Sequence, residues 1–153
     1  YRLSDADTPN KDDWHPFMTT FKLDPRLDQD THLITKLGLS RILLMNDRRF
    51  PWVILVPERA GVQEIHDLSI EDRAILMEEI TLISKILNGM FKPDKMNVGA
   101  LGNIVPQLHI HVIARTSKDA AWPGPVWGCG KAEPYDAQAL SDFKNRLMVE
   151  LQA

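Results

Sequence analysis

Between Asn97 and Ile113 the chain reads Asn-Val-Gly-Ala-Leu-Gly-Asn-Ile-Val-Pro-Gln-Leu-His-Ile-His-Val-Ile. On an extended strand successive side chains point to opposite faces, so Gln107, His109 and His111 share one side and Leu108, Ile110 and Val112 the other. Polar groups set into an apolar strand must each find a partner when buried, which makes this stretch the place for a site. Two imidazoles there could supply a nucleophile or a pair of metal ligands. The spacing alone decides little: with 5 His in 153 residues it arises by chance about one time in eight. The flanking residues carry the reading.

The elements around this segment follow from hydrophobic period and punctuation. Thr31 to Leu37 and Leu39 to Met45 read as two strands of a hairpin around Gly38. The polar break Asn46-Asp47-Arg48-Arg49 leads through Pro51 to a buried strand from Trp52 to Val56, closed by Pro57. Ser69 caps a helix whose Leu76, Ile80, Ile83, Leu87 and Met90 form one apolar face, with Asn88-Gly89 and then Pro93 as stop signals. Lys95 to Leu101 and Leu108 to Ala114 read as two further strands joined by a turn around Gly102-Asn103. A last helix from about Asp136 carries Leu140, Phe143, Leu147 and Leu151. This order predicts an α+β fold with an antiparallel sheet of about five strands, one long helix and a C-terminal helix. One domain over residues 1–153 is expected, with an acidic, proline-containing arm at 1–16 and a Trp/Pro/Gly-rich segment at 116–135.

Composition narrows the function. Hydrophobic residues make up 44% and charged residues 25%, so the chain is expected to fold as an ordinary globular domain. Lys and Arg total 18 against 21 Asp and Glu, without a basic stripe, so nucleic acid is not an expected partner. The apolar runs are far shorter than a bilayer span, and no membrane association is expected. The single cysteine, Cys129, can form no internal disulfide, which fits a cytoplasmic protein and a bystander thiol. His15, His32 and His66 lack any matching context and read as surface or packing residues, and Arg48-Arg49 as a solvated pair.

The segment Gln107-Leu108-His109-Ile110-His111-Val112-Ile113 resembles the signature of the histidine-triad (HIT) family, His-φ-His-φ-His-φ-φ with φ apolar. Asn97, Gly99, Gly102 and Asn103 match its upstream Asn, glycines and amide residue. Leu43-Leu44-Met45-Asn46 and Val53-Ile54-Leu55-Val56-Pro57 are similar to its two preceding strands. Two positions depart from the pattern: Gln107 stands for the first His, and Ile104 for a Ser or Thr that touches phosphate.

The resemblance implies a HIT-like fold and a nucleotide hydrolase or nucleotidyl transferase acting at the α-phosphate of a phosphoramidate or dinucleoside polyphosphate. His109 would be the nucleophile that forms a nucleotidyl-histidine intermediate. A backbone carbonyl near position 107 could fix its tautomer whatever the side chain there. His111 and Asn97 would hold phosphate oxygens with backbone N–H groups around Gly102 and Asn103, while Asn46 or Asp47 bonds the ribose and Leu43 and Met45 lie near the base. Gln107 keeps a hydrogen-bonding side chain that cannot titrate. The resemblance also implies a homodimer, a nucleotide as the small-molecule partner, and neither cofactor nor metal. Asn97 and the Asn46-Asp47 pair could instead serve only as turn residues. Two other classes compete: a regulatory nucleotide-binding protein with little turnover, and a metal-binding protein using His109 and His111, which would need a third ligand. Trp122-Pro123-Gly124-Pro125-Val126-Trp127 either shapes the leaving-group side of the site or packs two tryptophans on the sheet.

Overall fold

A computed structural model describes residues 20–153; the arm expected at 1–16 lies outside the described residues. The strands are β1 (Thr31–Lys36), β2 (Ser40–Met45), β3 (Trp52–Pro57), β4 (Lys95–Gly99) and β5 (Ile110–Arg115). They form one sheet in the order β1-β2-β3-β5-β4, and every neighbouring pair is antiparallel. The α+β architecture expected from the sequence is therefore the observed one.

Among the described residues three α-helices accompany the sheet: α1 (Pro25–Asp30), α2 (Ile70–Phe91) and α3 (Ala137–Gln152). The first was not anticipated, although its signals are local: Asp24 accepts from the N–H of Arg26 as N-cap and Pro25 opens the helix. In α2 the Ser69 hydroxyl accepts from the N–H of Asp72, as expected. The helix does not stop at Asn88-Gly89 but continues to Phe91, because Met90 and Phe91 still have core to pack against. It ends at Lys92, whose φ of 45° is left-handed, with its N–H bonded to the Asn88 carbonyl and Pro93 just beyond. Asp136 caps α3 through the N–H of Ala139.

Both faces of the sheet are covered, which explains why β3 and β5 are buried along their whole lengths. On one face Ile42, Leu44, Val53, Leu55, Ile110 and Val112 meet Leu76, Ile83 and Leu87 of α2 and Phe143 and Leu147 of α3. On the other, Leu43, Trp52, Ile54, Val56 and Ile113 are closed over by Leu27 of α1, Val105 and Val126. The site lies on this second face.

The two strands flanking the signature differ from expectation at their inner ends. β4 leaves the sheet at Gly99 and β5 joins it only at Ile110, so a ten-residue loop replaces the shorter turn expected around Gly102-Asn103. With no β4 partner beside it, Leu108 instead donates its N–H to the Val62 carbonyl.

Glu79 ties α2 to the β1–β2 hairpin: its buried Oε1 accepts from the N–H of Leu39 at 2.7 Å. Glu79→Ala leaves that amide without its acceptor and is expected to cost about 1–3 kcal/mol. Glu79→Gln, which keeps an acceptor oxygen, should lose less. Urea midpoints at unchanged m-value measure both.

Candidate active site

The alternation read from the sequence holds on β5, with His111, Ile113 and Arg115 on the second face and Ile110, Val112 and Ala114 against the helices. His109, just before the strand, continues the polar face. Both histidines are buried, at 6% and 5% exposure, with ring centroids 4.9 Å apart and planes at 71°.

Their hydrogen bonds fix different tautomers. Nδ1 of His109 lies 2.7 Å from the Gln107 carbonyl oxygen. A carbonyl only accepts, so Nδ1 carries the proton and Nε2 keeps a lone pair. His111 is the reverse: the indole N–H of Trp52 donates to its Nδ1 at 2.9 Å. An indole N–H can only donate, so the proton of a neutral His111 sits on Nε2. Burial, and then the neighbouring His109, push the His111 pKa down to about 3.

These rings open on a cavity of about 340 Å³. Its walls are Arg26, Leu27 and Asp30 of α1, Thr31, Met45, Ile54, the loop Leu101 to Val105, His109, His111 and Trp127. Gly102 shapes the loop with φ of +74°, which a side chain would strain, and an added Cβ would lie 3.4 Å from the Val105 carbonyl oxygen. At Gly99 the reason is space: a Cβ would stand 3.3 Å from the Trp127 ring, which also meets His111 edge-on at 5.1 Å. A smaller pocket of about 100 Å³ lies against His109, walled by Gln63, Glu64, Ala100, Pro106 and Gln107 among others.

Of the residues expected at the site, His109, His111, Gly102 and Asn103 line the large cavity together. Gln107 sits beside it in another role. Its Oε1 accepts from the N–H of Asp24 and its Nε2 donates to the Lys22 carbonyl, both at 2.9 Å, which holds the entry to α1. The carbonyl, not the amide side chain, orients His109.

Asn97 is occupied elsewhere: its Oδ1 accepts from Arg115 at 2.8 Å. Arg115, at 1% exposure, also donates to both carboxylate oxygens of Asp119 and to the Gly124 carbonyl. The Arg115 hydrogen bond holds the Asp119 carboxyl below the usual range, and that carboxylate accepts the N–H groups of Thr116, Ala121 and Trp122. Asn46 and Asp47 lie in the turn after β2, where Met45 rather than either of them walls the cavity. Asn46 Oδ1 accepts from the N–H of Tyr135. Asp47 binds Arg49 and the N–H of Glu133. Burial alone would raise the Asp47 carboxyl, but these hydrogen bonds outweigh it and leave it below the usual range.

Between these two anchors the segment after β5 crosses the sheet. Val126 enters the core and Trp127 forms a wall of the cavity, so the segment both packs on the sheet and shapes the site. Leu43 is buried away from the cavity. Sequence reasoning missed Trp52 and Arg115. Extending the alternation 109, 111, 113 one step finds Arg115, whereas Trp52 emerges only from the register that pairs Trp52 with Ile113 and Ile54 with His111. Among the described residues no three His, Cys, Asp or Glu side chains converge as metal ligands, and no helix is long and apolar enough to cross a membrane.

Comparison with known proteins bears on the same segment. The HIT domain family model matches residues 26–118. A histidine triad (HIT) protein from Sinorhizobium meliloti is 51% identical, with a TM-score of 0.84 over 87% of this chain and 98% of that one. A histidine triad protein from Marinobacter aquaeolei is 45% identical, with a TM-score of 0.85 over 87% and 97%. One from Bradyrhizobium japonicum is 44% identical, with a TM-score of 0.84 over 86% and 98%. No curated protein matches the chain. Nucleotide binding, hydrolysis or transfer is the general activity that goes with the matched family. With the family model spanning the signature, the loop and all five strands, the chain belongs to the histidine-triad (HIT) family.

Proposed function

We propose that the chain is a nucleotide hydrolase or nucleotidyl transferase in which Nε2 of His109 attacks the α-phosphorus of a nucleotide conjugate. A P–N bond forms as the bond to the leaving group breaks, and water or another acceptor then cleaves the nucleotidyl-histidine. The observation that carries this reading is the 2.7 Å contact from His109 Nδ1 to the Gln107 carbonyl. It puts the ring proton on the far nitrogen and leaves a lone pair available without any base to remove a proton.

Charge that develops on the phosphate oxygens meets the Nε2–H of His111 and backbone N–H groups around Gly102 and Asn103, residues that share the cavity wall with His109. The α1 end of the cavity takes the nucleoside, with Leu27, Met45 and Ile54 as apolar walls for the base and Asp30 and Thr31 as polar groups for the ribose. Asn46 and Asp47 contribute from behind Met45 by holding its turn, and Asn97 by holding Arg115. The pairing of two copies implied by the resemblance stays part of the proposal, and sedimentation velocity should give one species of twice the chain mass.

His109→Ala is expected to abolish turnover while nucleotide affinity stays within about tenfold, since the nucleophile serves chemistry more than ground-state binding. The check is single-turnover labelling with a nucleotide radiolabelled at the α-phosphate: wild type should trap an acid-labile adduct and the variant none. An equal label on both proteins would end the assignment.

A neutral buried His111 also makes stability depend on pH. Its folded pKa is about 3 against an ordinary 6.5, so the unfolded chain binds the extra proton between these values. The stability it contributes is complete above pH 6.5 and is lost as pH falls toward 3, about 2 kcal/mol between pH 7 and 5. Denaturant melts across that range should show this slope, reduced in His111→Gln.

A further inference from the structure

We infer that Trp52 is the positioning residue that fixes His111 as a standing Nε2–H donor, and that the site in consequence serves conjugates whose leaving group departs as an anion without taking up a proton. The leaving-group part rests on the nucleotidyl-transfer reading above; the tautomer part does not.

The argument begins with the indole. Trp52 is 4% exposed and opens β3, the strand beside β5, so its ring is held by the sheet and cannot rotate away without breaking the core. Its N–H lies 2.9 Å from His111 Nδ1 and has nothing to accept with. For His111 to become an imidazolium it would have to place a second N–H against the indole N–H. That would leave two buried donors facing each other without an acceptor, the costly arrangement in a protein interior.

Among the described residues nothing else around the ring favours a positive charge. Packed against His111 are His109 from its own chain segment, Trp52 and Ile54 from β3, Gly99 from β4 and Trp127 from the segment after β5. Among these only His109 carries an ionisable side chain, and a charge there would repel one on His111. Further along the same face Arg115 commits its guanidinium to Asn97, Asp119 and the Gly124 carbonyl. Across the cavity, the charged side chains on its wall are Arg26 and Asp30 of α1.

The chemical consequence concerns the leaving group. A neutral imidazole N–H stabilises an oxyanion by hydrogen bonding but is far too weak an acid to hand its proton over. Gln107 cannot titrate either, and its amide is bound to the backbone of Lys22 and Asp24. When His109 displaces a phosphate or nucleotide from a phosphoric anhydride, the P–O electron pair leaves on an oxygen that is stable as an anion. When it displaces an amine from a phosphoramidate, the P–N pair must collect a proton to leave as a neutral amine. The first reaction fits the groups present, and the second asks for an acid that neither Gln107 nor a Trp52-locked His111 supplies.

The test begins with the wild-type protein. Heteronuclear NMR of the ring nitrogens should show Nε2–H for His111, unchanged from pH 8 to 5, and Nδ1–H for His109. An Nδ1–H tautomer for His111, or its titration in that range, would overturn the inference without any variant. Trp52→Phe keeps an aromatic ring and removes the donor, and His111 should then become a tautomer mixture that takes up a proton at a higher pH than in wild type. A His111 spectrum and pH profile unmoved by Trp52→Phe would assign the indole a packing role only. Turnover completes the test with a nucleoside anhydride and the matched alkylamine phosphoramidate. Wild type should favour the anhydride, and the ratio should fall by roughly tenfold or more in Trp52→Phe as His111 gains the ability to act as an acid. A wild type that prefers the amidate overturns the leaving-group part. Failure to label His109 would instead count against the nucleotidyl-transfer reading and leave the ring spectra to decide the role of Trp52.

Discussion

Three large polar side chains on one buried face, His109, His111 and Arg115, demand hydrogen-bond partners that the sheet itself cannot give. Much of the second face is arranged to meet that demand. The Gln107 carbonyl serves His109, the Trp52 indole serves His111, and Asn97, Asp119 and Gly124 serve Arg115. Because the first two partners differ in kind, an acceptor for one ring and a donor for the other, neighbouring imidazoles on the same face are given different chemistry. One presents a lone pair and the other a proton.

The same demand organises the chain after β5. Arg115 would be an unaffordable buried charge without Asp119, and Asp119 in turn gathers the backbone N–H groups that turn the chain back over the sheet. At the other end Asn46 and Asp47 bind the backbone at Tyr135 and Glu133, while Arg49 holds the Cys129 carbonyl. Trp127 therefore reaches the cavity on a segment fixed at both ends. Asn97, Asn46 and Asp47 matter here as anchors of that segment, roles that their side-chain chemistry permits as readily as contact with a ligand.

What the sequence makes legible is whatever depends on local period. The stripe from Leu76 to Leu87 places the long helix, Phe143 and Leu147 place the last one, and the alternation through His109 and His111 places the polar face correctly. Strand ends near the site were harder, because the signature is strand-like in pattern but residues 107–109 have no β4 neighbour to pair with. Gln107 is legible as a departure from the triad, and a backbone carbonyl near position 107 as able to orient His109. The role of the Gln107 side chain is not, since the partners Lys22 and Asp24 lie 85 and 83 residues away and sequence carries no trace of that contact. Trp52 is the same case: a strand-opening tryptophan reads as core until the register of β3 against β5 is known.

The bond from Gln107 to Asp24 closes a loop through most of the sheet, and the bonds from Asn46 to Tyr135 and from Asp47 to Glu133 close two more of 89 and 86 residues. Closures this long form only after local elements have assembled, because the chain entropy they remove is recovered only once the rest is in place. The hairpin and long helix can thus exist before the cavity does, and the cavity belongs to the late, least local part of the fold. A ligand seated between α1 and the histidines would hold the same distant segments together. Its binding would then be coupled to the last stage of folding, and occupancy of the cavity would raise the stability of the chain by mass action.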